Sequence, residues 1–232
     1  MEPTGQAPKT PKAPKTKLFL LPILIISILA LSGCRDVQFN DNPGFTTDVP
    51  EYCDKPVIYI YPEEKTDIEL HLEFKGDLTF SYPEYTNGWK ITAYPDGTLI
   101  DQQGREYNYL FWEGKLDNQF KITNGYCISG ANTVEFLEEQ LSKLRLTDKE
   151  AADFITYWAP RMVDNTYNII HFLTDEELND IELSINPEPE NIIRVYMLWQ
   201  PSDTYQDIEQ QQLPSTPTRT GYTVVEWGGI EI

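Results

Sequence analysis

Histidine and cysteine are scarce in this 232-residue chain, two of one and three of the other, and no Cys-x-x-Cys or His-Glu-x-x-His spacing occurs. Structural zinc takes four such ligands and catalytic zinc three, so no zinc or other metal site is expected. The phosphate-binding P-loop, Gly-x-Gly-x-x-Gly, Gly-x-Ser-x-Gly and Ser-x-x-Lys are missing too. With them go the usual phosphate cradle, dinucleotide fold and activated serine, and no cofactor is expected. Basic residues are the third shortage, 18 Lys+Arg against 37 Asp+Glu. So acidic a surface repels the phosphates of nucleic acid and of anionic headgroups, which excludes both as direct partners. No repeat of 20–50 residues is visible, which argues against a solenoid.

Long apolar runs are also few, but one stands out. Lys9, Lys12, Lys15 and Lys17 precede 14 mostly apolar residues, Leu18 to Leu31. A membrane-spanning helix needs about 20. The shorter run behind a basic segment has the order of a secretory signal. Its end, Leu31-Ser32-Gly33-Cys34, resembles the lipobox of bacterial lipoproteins. That resemblance implies a diacylglyceryl group on the Cys34 sulfur and cleavage after Gly33. The expected organisation is therefore a signal at 1–33, a tether at 34–53 and one globular domain at 54–232. The place implied is the extracytoplasmic face of the cell membrane, with the lipid bilayer as partner through acylated Cys34.

The signal removes four Lys and one Glu, leaving 14 basic and 36 acidic side chains in 199 residues, a net of −22. Membrane contact then falls to the acyl chains, at about 0.8 kcal/mol per buried CH₂. Besides Cys34 the chain has Cys53 and Cys127. Outside the cytoplasm the two can form a disulfide; otherwise they are separate buried thiols.

From Lys55 the pattern is that of strands. Val57 to Tyr61 is β-branched and aromatic, Asp67 to Phe74 alternates apolar and charged residues, and Leu78, Phe80 and Tyr82 continue the alternation. Asn87-Gly88 has the chemistry of a type I′ hairpin turn. Residues 55–128 read as an antiparallel meander. Two capping boxes follow, Asn132 with Glu135 and Thr147 with Glu150. The second opens a helix with Phe154, Ile155 and Trp158 inward, stopped by Pro160. Strands resume at 167–173, 181–185 and 192–199, the last apolar on both faces and hence central. Residues 201–221 read as a long polar loop, and Tyr222–Trp227 as a last strand ending at Gly228-Gly229. The class is α+β: a mostly antiparallel sheet, sandwich or open barrel, with a helical hairpin inserted at about 132–160.

Lys55-Pro56-Val57-Ile58-Tyr59-Ile60-Tyr61-Pro62 and Gly221-Tyr222-Thr223-Val224-Val225-Glu226-Trp227-Gly228-Gly229 together resemble an uncharacterised, mostly bacterial family. Tyr109 to Glu113 and Tyr157 to Met162 look like its middle blocks. The resemblance implies one continuous domain and brings no activity with it.

Candidate chemistry is thin, and no catalytic residue is assigned. Glu113 and Glu226 each lie among bulky residues at a strand end, where lost hydration raises a carboxyl pKa toward that of a general acid. Brought together across a sugar-stacking cleft, they would suit a glycosidase. The plainer reading pairs each with a backbone N–H or with Arg161, Arg194 or Arg219. His171 lies among strand apolars and reads as a satisfied core histidine. Asp96, Asp101 and Glu106 lack EF-hand spacing, and Asp-Gly turns account for them. The reading that remains is a membrane-anchored domain that binds a glycan or protein through exposed Trp and Tyr residues or the 201–221 loop. A carbohydrate hydrolase and a structural envelope component are the alternatives.

Overall fold

A computed structural model describes residues 51–117 and 119–232. The expected signal, Cys34 and most of the tether lie outside them. Twelve strands and two helices form three layers: β1 Glu51–Tyr61, β2 Thr66–Phe74, β3 Gly76–Tyr82, β4 Trp89–Ala93, β5 Leu99–Asp101, β6 Glu106–Tyr107, β7 Leu110–Leu116, β8 Tyr126–Ser129, α1 Thr133–Lys143, α2 Asp148–Met162, β9 Tyr167–Phe172, β10 Ile181–Asn186, β11 Asn191–Ser202 and β12 Thr223–Glu231. A seven-stranded sheet runs β3-β7-β1-β12-β11-β9-β8, and a five-stranded sheet runs β10-β2-β4-β5-β6. Every pairing is antiparallel except β11 with β12. Both sheets are open, so the architecture is a sandwich with a helical hairpin on one outer face.

Strand alternation divides the core in two. Ile58, Ile60, Trp112, Tyr196 and Val224 meet Ile68, Leu70, Trp89 and Leu99 between the sheets. Val57, Tyr59, Val195, Met197, Val225 and Trp227 point the other way, against Leu137, Leu141, Phe154 and Trp158 of the hairpin. β11 lies between β9 and β12 and is covered on both faces, as its two-sided apolar pattern predicts.

Several expectations need correction. The stretch 55–128 is not a meander, because β1, β3 and β7 enter one sheet while β2, β4, β5 and β6 enter the other. Asn87 and Gly88 do have positive φ (58° and 119°), but they join strands of different sheets. Asn132 makes no side-chain cap, since a 3₁₀ turn at Gly130–Asn132 already leads into α1. Thr147 with Glu150 does form the capping box. α2 runs two residues past Pro160, to Met162. Val134, whose helical spacing with Leu137, Leu141 and Leu144 predicts a shared apolar face, is exposed at the start of α1. The domain begins earlier than expected too: Glu51 and Cys53 pair with Leu116 and Gly114, so residues 51–53 belong to β1 and not to the tether. Finally, β12 continues through Gly228 and Gly229 to Glu231. A Cβ on Gly229 would lie 2.5 Å from the Trp158 ring, so the glycines permit close approach instead of ending the strand.

Candidate functional site

The hairpin covers β12, β11, β9 and β1 from Val57 onward and reaches Phe111 of β7, leaving β3 and the start of β1 uncovered on that side. At the boundary β1 bulges. Its register with β7 jumps between Cys53–Gly114 and Val57–Phe111, where three residues of β1 stand against two of β7. Lys55 takes the strain with φ of 56°, a left-handed conformation that costs a non-glycine residue about 1–2 kcal/mol. Pro56 gives the reason, since a proline inside a central strand is tolerated only at such a bulge.

The bulge turns Lys55 into a cage of rings. Its Nζ lies 5.2 Å from the centroid of Tyr109, 5.0 Å from Phe111 and 5.7 Å from Tyr157, and 3.4 Å from the Tyr109 hydroxyl. Each ring face attracts an ammonium by about 0.5–1 kcal/mol at an exposed site. Two carboxylates flank the cage. Burial pushes Glu113 above its ordinary range and the Asp54 charge adds to it, against the Lys55 N–H and the charges of Lys55 and Arg161. Asp54 is raised by burial as well, with Arg161 opposing. The Arg161 guanidinium stacks 3.9 Å over the Tyr157 ring. Burial and then Asp54 push the Tyr157 phenol up.

Beyond this cluster the bare face is aromatic. Phe80 stands opposite Glu113, Tyr82 opposite Phe111 and Tyr52 opposite Lys115, and cross-strand partners share a face. Tyr52, Phe80 and Tyr82 are 50%, 55% and 56% exposed. Phe80 meets Phe111 edge-on at 5.8 Å, and Tyr82 meets Tyr107 at 5.5 Å.

Glu226 is elsewhere. It points from β12 into the space between the sheets, fully buried, with Arg194 Nε and Nη2 each 2.8 Å from its Oε2 and Trp112 Nε1 donating to Oε1 at 3.3 Å. Burial works against the Arg194 charge, but Glu226 and Tyr196 together outweigh it and hold the guanidinium above its ordinary value. Glu113 occupies the opposite face of the same sheet, with β1 between their strands. The two carboxylates therefore share no cleft, and the paired-glutamate geometry is not formed. The plainer reading of Glu226, an ion pair with Arg194, is the one observed.

Cys53 and Cys127 are free thiols. Their strands, β1 and β8, are separated by β12, β11 and β9, so about 19 Å of sheet intervenes where a disulfide spans about 6 Å between Cα atoms. Burial and the Glu226 charge push the Cys53 thiol well up. His171 is buried, its Nδ1 3.0 Å from the Asn124 carbonyl oxygen and its Nε2 3.2 Å from both Glu177 oxygens. It is a satisfied core histidine. Asp96 accepts from Thr98 N, and Asp101 accepts from the N–H groups of Gln103 and Arg105, Arg105 Nε and the Tyr107 hydroxyl. Among the described residues no three His, Cys, Asp or Glu side chains gather as metal ligands, and no helix is long and apolar enough to cross a membrane.

The loop between β11 and β12, expected to offer a recognition surface, is largely a strap. Gly125 N donates to Glu209 O, Gln211 N donates to Gly125 O, and the Gln211 side chain bonds both the N–H and the carbonyl of Phe172, completing the sheet where β8 stops. Arg219 ties the loop's far end to Glu150 with bonds of 2.8 and 3.1 Å.

Three of the sequence blocks quoted above thus meet around Lys55: its own, Tyr109 to Glu113, and Tyr157 to Met162. The fold and this face define an α+β two-sheet domain with a helical hairpin on one side and a charged, aromatic face beside it. No family model and no solved structure matches the chain. It is 37% identical over 95 residues, 40% of this chain and 86% of the relative, to the "Uncharacterized protein in bglA 3'region" of Butyrivibrio fibrisolvens. The chain belongs to the family of that uncharacterised protein.

Proposed function

We propose that the protein is a lipoprotein held on the extracytoplasmic face of the membrane by acylated Cys34, and that its folded domain acts by binding. The observation that supports binding most directly is the row of exposed rings that the hairpin leaves uncovered, Phe80 and Tyr82 on β3 and Tyr52 at the start of β1. Proteins rarely leave neighbouring large rings in water without a use for them, and here Tyr52, Phe80 and Tyr82 border a strained lysine and two carboxylates. Strain of that kind persists where the surrounding structure enforces it, as at ligand sites. The support for the anchor is the apolar run ending in Leu-Ser-Gly-Cys.

Among the described residues, 51–232 supply two extensive cores, so fragment 35–232 is expected to fold without the anchor. It should be retained on isolated envelope material and lose that retention in a Tyr52→Ser/Phe80→Ser variant of unchanged circular dichroism. Equal retention of the two proteins would remove this face from the function.

A further inference from the structure

We propose that the ligand of this face is a neutral carbohydrate chain, lying along β3 and entering the groove beside Tyr107, Asn108 and Tyr109. The inference rests on the binding reading above and adds the ligand's class and seat. Phe80 and Tyr82 are two residues apart on one strand, so their exposed rings repeat at about 7 Å. A pyranose presents C–H bonds on its faces and hydroxyls at its rim, and so suits a row of flat rings with polar groups at the margin. Tyr82 borders a groove of about 440 Å³ whose other walls are Thr98, Glu106, Tyr107, Asn108 and Tyr109. That volume suits a small-molecule site. The polar groups of those walls are the hydroxyls of Thr98, Tyr107 and Tyr109, the Asn108 amide and the Glu106 carboxylate, which between them donate to and accept from sugar hydroxyls. The groove lies where an edge of each sheet meets the other, since β3 ends one and β6 ends the other.

Other occupants fit less well. Strand addition needs an even row of free backbone groups, and β3 has the extra residue Thr79 between its pairings at Leu78 and Phe80, a device that blunts edges. A polyanion is repelled by the net charge. A cationic side chain would seek the ring cage, which Lys55 fills already. A stable protein interface takes about 800 Å² per partner, more than two rings on one strand supply.

The test titrates fragment 35–232 with cello-, xylo-, chito- and malto-hexaose by calorimetry. At least one should bind, with an affinity that holds between about 50 and 500 mM salt because no net charge is involved. Tyr82→Ala and Asn108→Ala should each weaken it about tenfold or more. Tyr205→Ala, exposed on the strap, should leave it unchanged. Phe80→Ala guards against misfolding at the Tyr82 position. Binding to none of the four sugars, binding that survives both ring substitutions, or binding abolished by salt would each overturn the proposal. Envelope retention that still depends on Tyr52 and Phe80 without any sugar binding would overturn the carbohydrate assignment alone; loss of both would overturn the binding reading with it.

Discussion

Glu226 and Arg194 show how a single buried charge is kept. Each loses its water between the sheets, and each is held by the other together with Trp112 Nε1 and the Ile181 carbonyl, which accepts from Arg194 Nη1 at 2.9 Å. Replacing Glu226 by Ala leaves a guanidinium buried without its partner, at a cost of about 3–5 kcal/mol. Urea denaturation should register that loss as a lower midpoint. Glu226→Leu with Arg194→Met should recover part of it and not all, because the Trp112 N–H and the Ile181 carbonyl are then unpaired. Glu113 behaves in the opposite sense. Its carboxyl is raised above its ordinary 4.5 in the fold, so between that value and its folded pKa the native state holds more protons than the unfolded one. Stability from this group therefore falls as pH rises through that window, and the full penalty stands above it. Glu113→Gln, which can still accept the Lys55 N–H, should stabilise the domain at about pH 7.5 and match the parent at about pH 3.5. A gain that persists at the lower pH would assign the effect to packing instead of charge. Sequence alone marks Glu113 as desolvated by its bulky neighbours, and the structure agrees. Its true neighbour Asp54 escapes notice because the two meet only through the Lys55 bulge. Pro56 was the available signal for that bulge, since a proline in a central strand calls for an irregularity; what cannot be read is that the strand is central.

At the scale of elements, apolar alternation places most strands and the hairpin but does not say which sheet each strand enters. β2 and β3 follow one another with a single residue between them, yet belong to different sheets. Both alternate apolar and polar residues in sequence, although β2 has a buried side and β3 has none, and only the partner strands, distant in sequence, distinguish them. Two-sided burial is more informative, which is why β11 could be recognised as central. The contact of α2 with the sheet depends on Gly229. An added Cβ there would lie 2.5 Å from Trp158 and 2.9 Å from the Met197 carbonyl of β11. Gly229→Ala should therefore cost about 1–3 kcal/mol through overpacking, read as a fall in Tm of about 2–4 °C per kcal/mol for a domain of this size. Trp158→Leu leaves room for that methyl, so the double variant should unfold closer to Trp158→Leu alone than the separate losses imply. Strict additivity would mean that the glycine is needed for its backbone and not for the indole above it.

At the scale of the whole molecule, charge and anchoring have to be considered together. A domain with net −22 outside its first 33 residues gains nothing from an anionic leaflet and is pushed from it within a Debye length of about 8 Å. One acyl chain gives only marginal, reversible attachment, so an acidic protein of this kind needs at least two. The diacylglyceryl group proposed for Cys34 would supply two, so attachment would not depend on the charge of the domain. The aromatic face could then meet ligands in solution or in the envelope without competing for lipid. Cys34→Ser should abolish incorporation of labelled palmitate and either leave the precursor uncleaved or move the protein to the soluble fraction. The effect should be all or nothing, since a net charge of −22 beyond residue 33 opposes any residual hold on an anionic leaflet. Palmitate labelling that survives Cys34→Ser, or an intact mass of the native protein that includes residues 1–33 without lipid, would show that attachment arises by some other means.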